Sequence, residues 1–168
     1  MMPLNSLIYS LKRDNRNDVL DFCSDELAKS ILNSFPKAKD YIFTNVPRSK
    51  KAIIKYGIDH AQLLAKRAAE KIGAKYENIL ISNVKTEQKK LHGTERILNT
   101  DFSVCNDIDL KGKTVIIVDD IVTTGSSMGG AAMLIHGQGA NKIYGAALGI
   151  AYKDKYKPFN HIKYIRLK

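Results

Sequence analysis

Val115-Ile116-Ile117-Val118-Asp119-Asp120-Ile121-Val122-Thr123-Thr124-Gly125-Ser126-Ser127 is the stretch that decides the fold class. The apolar run makes Lys113 to Asp119 a buried strand, with two adjacent carboxylates at its end, where a parallel sheet opens to solvent. Side by side and unneutralised, two such acids repel by about 1 kcal/mol, so a purely structural role gives no reason for them. The hydroxyls of Thr123, Thr124, Ser126 and Ser127 then surround Gly125 at the start of a helix from Ser126 to His136. Backbone N–H groups at a helix start, with the positive end of its dipole, form a cradle for a phosphate. Acids suited to hydroxyls or Mg²⁺ thus stand beside donors suited to a phosphomonoester, which is the polarity pattern of a ribose 5-phosphate.

Working outward, strand-like and helix-like segments alternate. Asn17 caps a helix whose Leu20, Cys23, Leu27, Ile31 and Phe35 recur at spacings of three and four until Pro36 ends it. Tyr41 to Val46 reads as a strand, and Pro47 opens a basic loop that runs to Gly57. Asp59 and Gln62 form a start resembling a capping box, for a helix through Leu64, Ala68 and Ile72 that Gly73 stops. Asn78 to Ser82 and Lys142 to Ile150 read as further strands. Between them, residues 83 to 109 are polar and long for a connection inside a compact domain. Strand, loop and helix repeated in this way predict an α/β fold: a central parallel sheet of these four strands, helices on both faces, ligands at the carboxyl ends of the strands.

The composition narrows the setting. A chain of 168 residues, 44% hydrophobic, fits one domain and buries roughly two thirds of its unfolded surface without disulfides or a structural metal. The two cysteines, Cys23 and Cys105, form no Cys-x-x-Cys pair, which argues against a zinc ribbon and for a reducing cytoplasm. The N-terminus shows no signal peptide, and the longest largely apolar stretch, Tyr144 to Tyr152, is half of what a membrane-spanning helix needs. Most of the net charge of +10 lies in two segments, residues 47 to 57 and 153 to 168, and suggests anionic partners. Gly112-Lys113-Thr114 looks like the end of a P-loop, but the Gly required five residues earlier is Asp107. His60, His92, His136 and His161 lack metal-ligand spacing.

The quoted stretch resembles the PRPP-binding motif of type I phosphoribosyltransferases, and the resemblance extends toward the ComF (competence protein F) family over about residues 7 to 150. Ile8 to Lys12 is similar to that family's early strand. Tyr56-Gly57-Ile58-Asp59-His60-Ala61-Gln62-Leu63-Leu64-Ala65 resembles its RGFNQAELLA segment, and Thr86 to Leu91 with Arg96 and Asn99 its TxxQxxLxxxxRxxN segment. Two departures stand out. The four-cysteine zinc ribbon usual at that family's N-terminus has no counterpart in this sequence, and Tyr56 and Asp59 replace the Arg and Asn of RGFN.

The resemblance implies a type I phosphoribosyltransferase-like fold over residues 1 to 168, with a small hood from the N-terminal and C-terminal segments and a mobile loop at about 83 to 101. It implies displacement of pyrophosphate from PRPP by an unidentified acceptor. By the same resemblance Asp119 and Asp120 meet the ribose hydroxyls and Mg²⁺, and Thr123, Thr124, Gly125, Ser126 and Ser127 bind the 5-phosphate. Arg48, Ser49 and Lys50 meet the pyrophosphate. Lys89, Lys90 and Arg96 act from the hood, with His92 the one histidine worth testing. Thr123 stands where the hypoxanthine-guanine branch has an Asp that serves the base, so purine salvage is disfavoured. Expected partners are PRPP or a nucleotide monophosphate, single-stranded DNA or a competence-protein partner, and a second copy of the chain; a membrane is not among them. The expected role lies in DNA uptake or nucleotide metabolism. The competing expectation is a non-catalytic module on the same fold that senses PRPP or a nucleotide, or binds nucleic acid.

Overall fold

A computed structural model describes residues 17–49, 53–55, 57–82, 102–105 and 108–150, together with the backbone of 163–166. Helix α1 (Asn17–Ser34) is followed by a 3₁₀ turn (Ala38–Asp40), strand β1 (Ile42–Asn45), helix α2 (His60–Ile72) and strands β2 (Lys75–Tyr76), β3 (Leu80–Ser82), β4 (Phe102–Val104) and β5 (Thr114–Val122). Helix α3 (Ser126–Gly137), β6 (Lys142–Ile150) and β7 (Lys163–Arg166) complete the order.

The central sheet has the order β2-β1-β5-β6-β7, and its pairings are all parallel. Period-two alternation along β5 divides the core between its faces. Ile116 and Val118 join Phe43, Ala146 and Leu148 beneath α1 and α2, where Leu27, Ile31, Leu64 and Ala68 are fully buried. Val115, Ile117 and Ala147 lie on the other face with Met128, Ala131 and Ile135 of α3. The periodic residues of α1, Leu20, Cys23, Leu27, Ile31 and Phe35, are all buried, as their spacing predicts. The ring of Phe35 stacks on Tyr144 with centroids 4.1 Å apart, fixing the end of that helix over β6.

Helix α2 begins and ends where its sequence signals stand. Asp59 is its N-cap, accepting from the Gln62 N–H at 3.1 Å, and Gly73 ends it in the left-handed conformation at φ 76°. From β1 the chain crosses on the α1/α2 face to β2 at one edge, whereas from β5 it crosses on the α3 face toward β6. The sheet therefore changes winding direction between β1 and β5, the position at which open α/β sheets form a ligand crevice.

The segment read as a central strand, Asn78 to Ser82, belongs elsewhere. Its strand, β3, pairs antiparallel with β4 in a separate two-stranded sheet, with Leu80↔Val104 and Ser82↔Phe102 opposite one another. Lys75 and Tyr76 take the edge beside β1 instead, opposite Ile42 and Phe43. The early strand expected near Ile8 and the loop 83 to 101 lie outside the described residues.

Candidate functional site

β5 runs three residues further than its sequence suggests, to Val122. On one side its pairing with β1 ends at Asn45↔Val118, closed by the Val46 N–H donating to the Val118 carbonyl at 3.0 Å. On the other side pairing with β6 continues through Asp119↔Ala147 to Val122↔Ile150. Asp119 and Asp120 thus sit within a strand on the β6 side but beyond the end of the ladder on the β1 side. Each is held by the next peptide: Asp119 Oδ1 accepts from the Asp120 N–H at 2.8 Å, and Asp120 Oδ1 from the Ile121 N–H at 2.7 Å.

Because neighbours in a strand alternate, the two acids do not stand side by side on one face, as the end of a strand implied. Asp119 lines a small concavity with Thr123, Thr124, Gly125, Ser126 and Ser127. Asp120 is buried, and its Oδ2 accepts from the Arg48 guanidinium, whose side chain is only 14% exposed. The expectation of an unneutralised pair is corrected here: Arg48, distant in sequence, neutralises Asp120. Burial first, then the charge of Asp120, raises the Asp119 carboxyl to about 8.

Beyond β5 the chain turns through Gly125, which is left-handed at φ 77° and serves as the N-cap of α3 without a capping side chain. Ser126, Ser127 and Met128 of the first turn line the concavity. Thr124 shapes this entry, its Oγ1 accepting from the Ser126 N–H at 3.3 Å and lying 3.0 Å from Ser126 Oγ. A Gly at the cap keeps that entry free of a side chain. By contrast Gly112 (φ 73°) precedes β5 at the opposite end of the sheet, far from this crevice.

The other wall comes from the loop after β1. Arg48 N–H donates to Asp59 Oδ2 at 3.2 Å, the Ser49 carbonyl accepts from the Ile53 N–H at 3.0 Å, and residues 53–55 are helical. Behind it, Tyr76 Oη donates to Asn45 Oδ1 at 2.7 Å, and burial raises the Tyr76 phenol. The sequence reading missed this support, the buried Asn45 and the half-buried Asp59 and Tyr76, although the cap signal at Asp59 was visible. Of the residues singled out from sequence, Asp119 and Thr123 to Ser127 line the concavity, Arg48 reaches Asp120 beside it, and Ser49 follows Arg48 in the loop; Lys50, Lys89, Lys90, His92 and Arg96 lie outside the described residues. Among the described residues no cluster of three His, Cys, Asp or Glu side chains is placed to hold a metal ion.

Comparison with known proteins follows the same outline. The phosphoribosyl transferase domain matches residues 57–165. The chain belongs to that family. A ribose-phosphate pyrophosphokinase of Thermococcus kodakarensis is 35% identical over 83 residues, covering 49% of this chain and 25% of the relative. The DNA utilization protein YhgH of Salmonella typhimurium is 25% identical over 147 residues, 84% of this chain and 64% of that protein. This phosphoribosyl transferase domain therefore spans about a quarter of the length of the first curated relatives it matches. Among solved structures, adenine phosphoribosyltransferase from Saccharomyces cerevisiae is similar with a TM-score of 0.61 at 19% identity, over 92% of this chain and 81% of that one, which shows a shared fold. Among the described residues of the phosphoribosyl transferase domain, no helix is long and apolar enough to cross a membrane.

Proposed function

We propose that this phosphoribosyl transferase domain binds PRPP with Mg²⁺ and transfers its phosphoribosyl group to an acceptor nitrogen, as a ComF-type enzyme. The observation that carries the reading is the division of labour between adjacent acids: Asp119 faces a cradle of amides and hydroxyls while Asp120 faces a cation. That is an arrangement for a ligand with a phosphate at one end, hydroxyls in the middle and a second anionic group at the other.

In this assignment Thr123 to Ser127 receive the 5-phosphate, with the N–H groups of the α3 start supplying donors and dipole. The two carboxylates meet the ribose hydroxyls. Two hard carboxylates, with no third acid beside them among the described residues, fit Mg²⁺ as it binds substrates, through one or two protein oxygens with the rest from phosphate and water. When bound, the ion neutralises charge on the pyrophosphate. Arg48, Ser49 and Lys50 meet that leaving group. The acceptor's lone pair forms the bond to C1 as the C1–O bond breaks; the bonding electrons depart with pyrophosphate, and the nitrogen gives up its proton to solvent or a base. The protein's share is positioning and charge neutralisation.

Lys89, Lys90 and Arg96 are assigned to a hood loop, about residues 83 to 101, that excludes water from the reacting carbon. The domain assignment is a single unit, residues 1 to 168. The likeness to YhgH, whose name refers to DNA utilization, supports a role connected to DNA; a reducing cytoplasm suits the free thiols of Cys23 and Cys105.

Calorimetric titration with Mg-PRPP, followed by assay of pyrophosphate release across a panel of amines and nucleobases, tests the reading. Binding abolished in an Asp119→Asn, Asp120→Asn double variant that still folds is the expected outcome. Equal binding by parent and variant refutes it. Mg-PRPP binding without turnover on any acceptor, accompanied by salt-dependent affinity for single-stranded DNA, favours a sensor or nucleic-acid module instead.

A further inference from the structure

We propose that Asp59 is a positioning residue for the pyrophosphate end of the site, a role that rests on the phosphoribosyl reading above. Its two carboxylate oxygens serve two different elements. Oδ1 accepts from the Gln62 N–H at 3.1 Å and caps α2; Oδ2 accepts from the Arg48 N–H at 3.2 Å and holds the loop that leaves β1.

That contact lies just past the end of the sheet. The Val46 N–H, donating to Val118, is the last donor of the β1–β5 ladder, and Pro47 has no N–H to offer. Arg48 is therefore the first residue past the sheet whose amide can be held, and Asp59 holds it. The direction of the Arg48 side chain follows from where its backbone is fixed. From that anchor the guanidinium reaches Asp120, across the crevice between β1 and β5. Asp59 touches no substrate in this arrangement; it acts through Arg48.

A carboxylate is the group this job requires. An Asn here has one acceptor oxygen and must turn its NH₂ against one of the two N–H donors, and a Ser has one oxygen on a shorter arm. Both retain a helix cap of ordinary strength and both lose the second contact. Electrostatics alone predicts the opposite sign, because removing a negative charge beside an anion site strengthens anion binding. The two explanations thus separate by direction.

The experiment measures Mg-pyrophosphate and ribose 5-phosphate binding by calorimetry for the parent, Asp59→Asn and Asp59→Ser, with thermal unfolding recorded for each. We expect Mg-pyrophosphate to weaken about tenfold in both variants, the scale of one hydrogen bond, while ribose 5-phosphate, held at the α3 end, binds as in the parent. Unchanged or tighter Mg-pyrophosphate binding in both variants overturns the role. So does equal loss of both ligands, which signals a general defect of fold. A parent that binds neither ligand overturns the phosphoribosyl reading and the role of Asp59 with it.

Discussion

Arg48 and Asp120 meet across the boundary between two crossovers of opposite direction, the cation from the loop after β1 and the carboxylate from beyond the β1 end of the β5 ladder. A substrate that uses both must part them, offering an anion to Arg48 and a cation or hydroxyl to Asp120. Either substitution alone strands a partly buried charge, a situation that costs about 1–3 kcal/mol when a hydrogen-bonded partner is removed. Arg48→Ala and Asp120→Asn are each expected to lower the urea midpoint by that order, and the double variant to lose less than the sum. Additive losses would show that the pair is uncoupled.

Asp119 is expected to behave in the reverse sense. Its folded carboxyl is raised from an ordinary carboxylate to about 8, so the folded state holds a proton that the unfolded chain releases. Stability then falls as pH rises from about 4 to about 8 and levels off above. Asp119→Asn removes that slope and is more stable than the parent above pH 8, by on the order of 1–3 kcal/mol. Urea titrations of both proteins across this range check it; parallel curves would show that Asp119 is not a raised acid.

Gly125 stands at φ 77°, a conformation that costs a residue with a Cβ about 1 kcal/mol or more. Gly125→Ala is expected to destabilise by that amount and to weaken ribose 5-phosphate binding, because the added methyl stands at the entry to the α3 amides. Retained binding in calorimetry would place the phosphate elsewhere.

Two substitutions on the helical face separate packing from surface charge. Leu27, fully buried between α1 and the sheet, should cost about 3 kcal/mol as Leu27→Ala. Arg67, whose Nη1 lies 2.5 Å from Asp21 Oδ1 on a partner that is 57% exposed, should cost about 0.5 kcal/mol as Arg67→Ala. Chemical denaturation of each variant measures the difference, and a larger loss at Arg67 would refute the ordering.

What was legible in the sequence followed from local rules. The helix from His60 to Ile72 could be bounded because cap, period and left-handed stop all lie within its own residues. The apolar run at Asn78 to Ser82 announced a strand but not its neighbour, since strand partners are chosen by tertiary contacts. Lys75–Tyr76, too short to show any period, went unread although it forms the sheet edge. The PRPP-like stretch lies along one wall of the crevice. Its acids were read as a facing pair because the strand was ended at Asp119, before the alternation that turns Asp120 toward Arg48. That ion pair joins residues 72 apart in the sequence and leaves no local trace.

The pairing of Ser82 with Phe102 brings the two ends of the intervening segment to adjacent positions on a separate two-stranded sheet. Whatever residues 83 to 101 contain, their length is decoupled from the register of the five central strands. Closing a longer or shorter excursion at that point changes the loop entropy only slowly, by about 0.6 kcal/mol for each doubling. The five-stranded scaffold is therefore tolerant of length changes at that point in the sequence. A change in the length of that segment leaves the walls that hold Asp119, Asp120 and Arg48 in place.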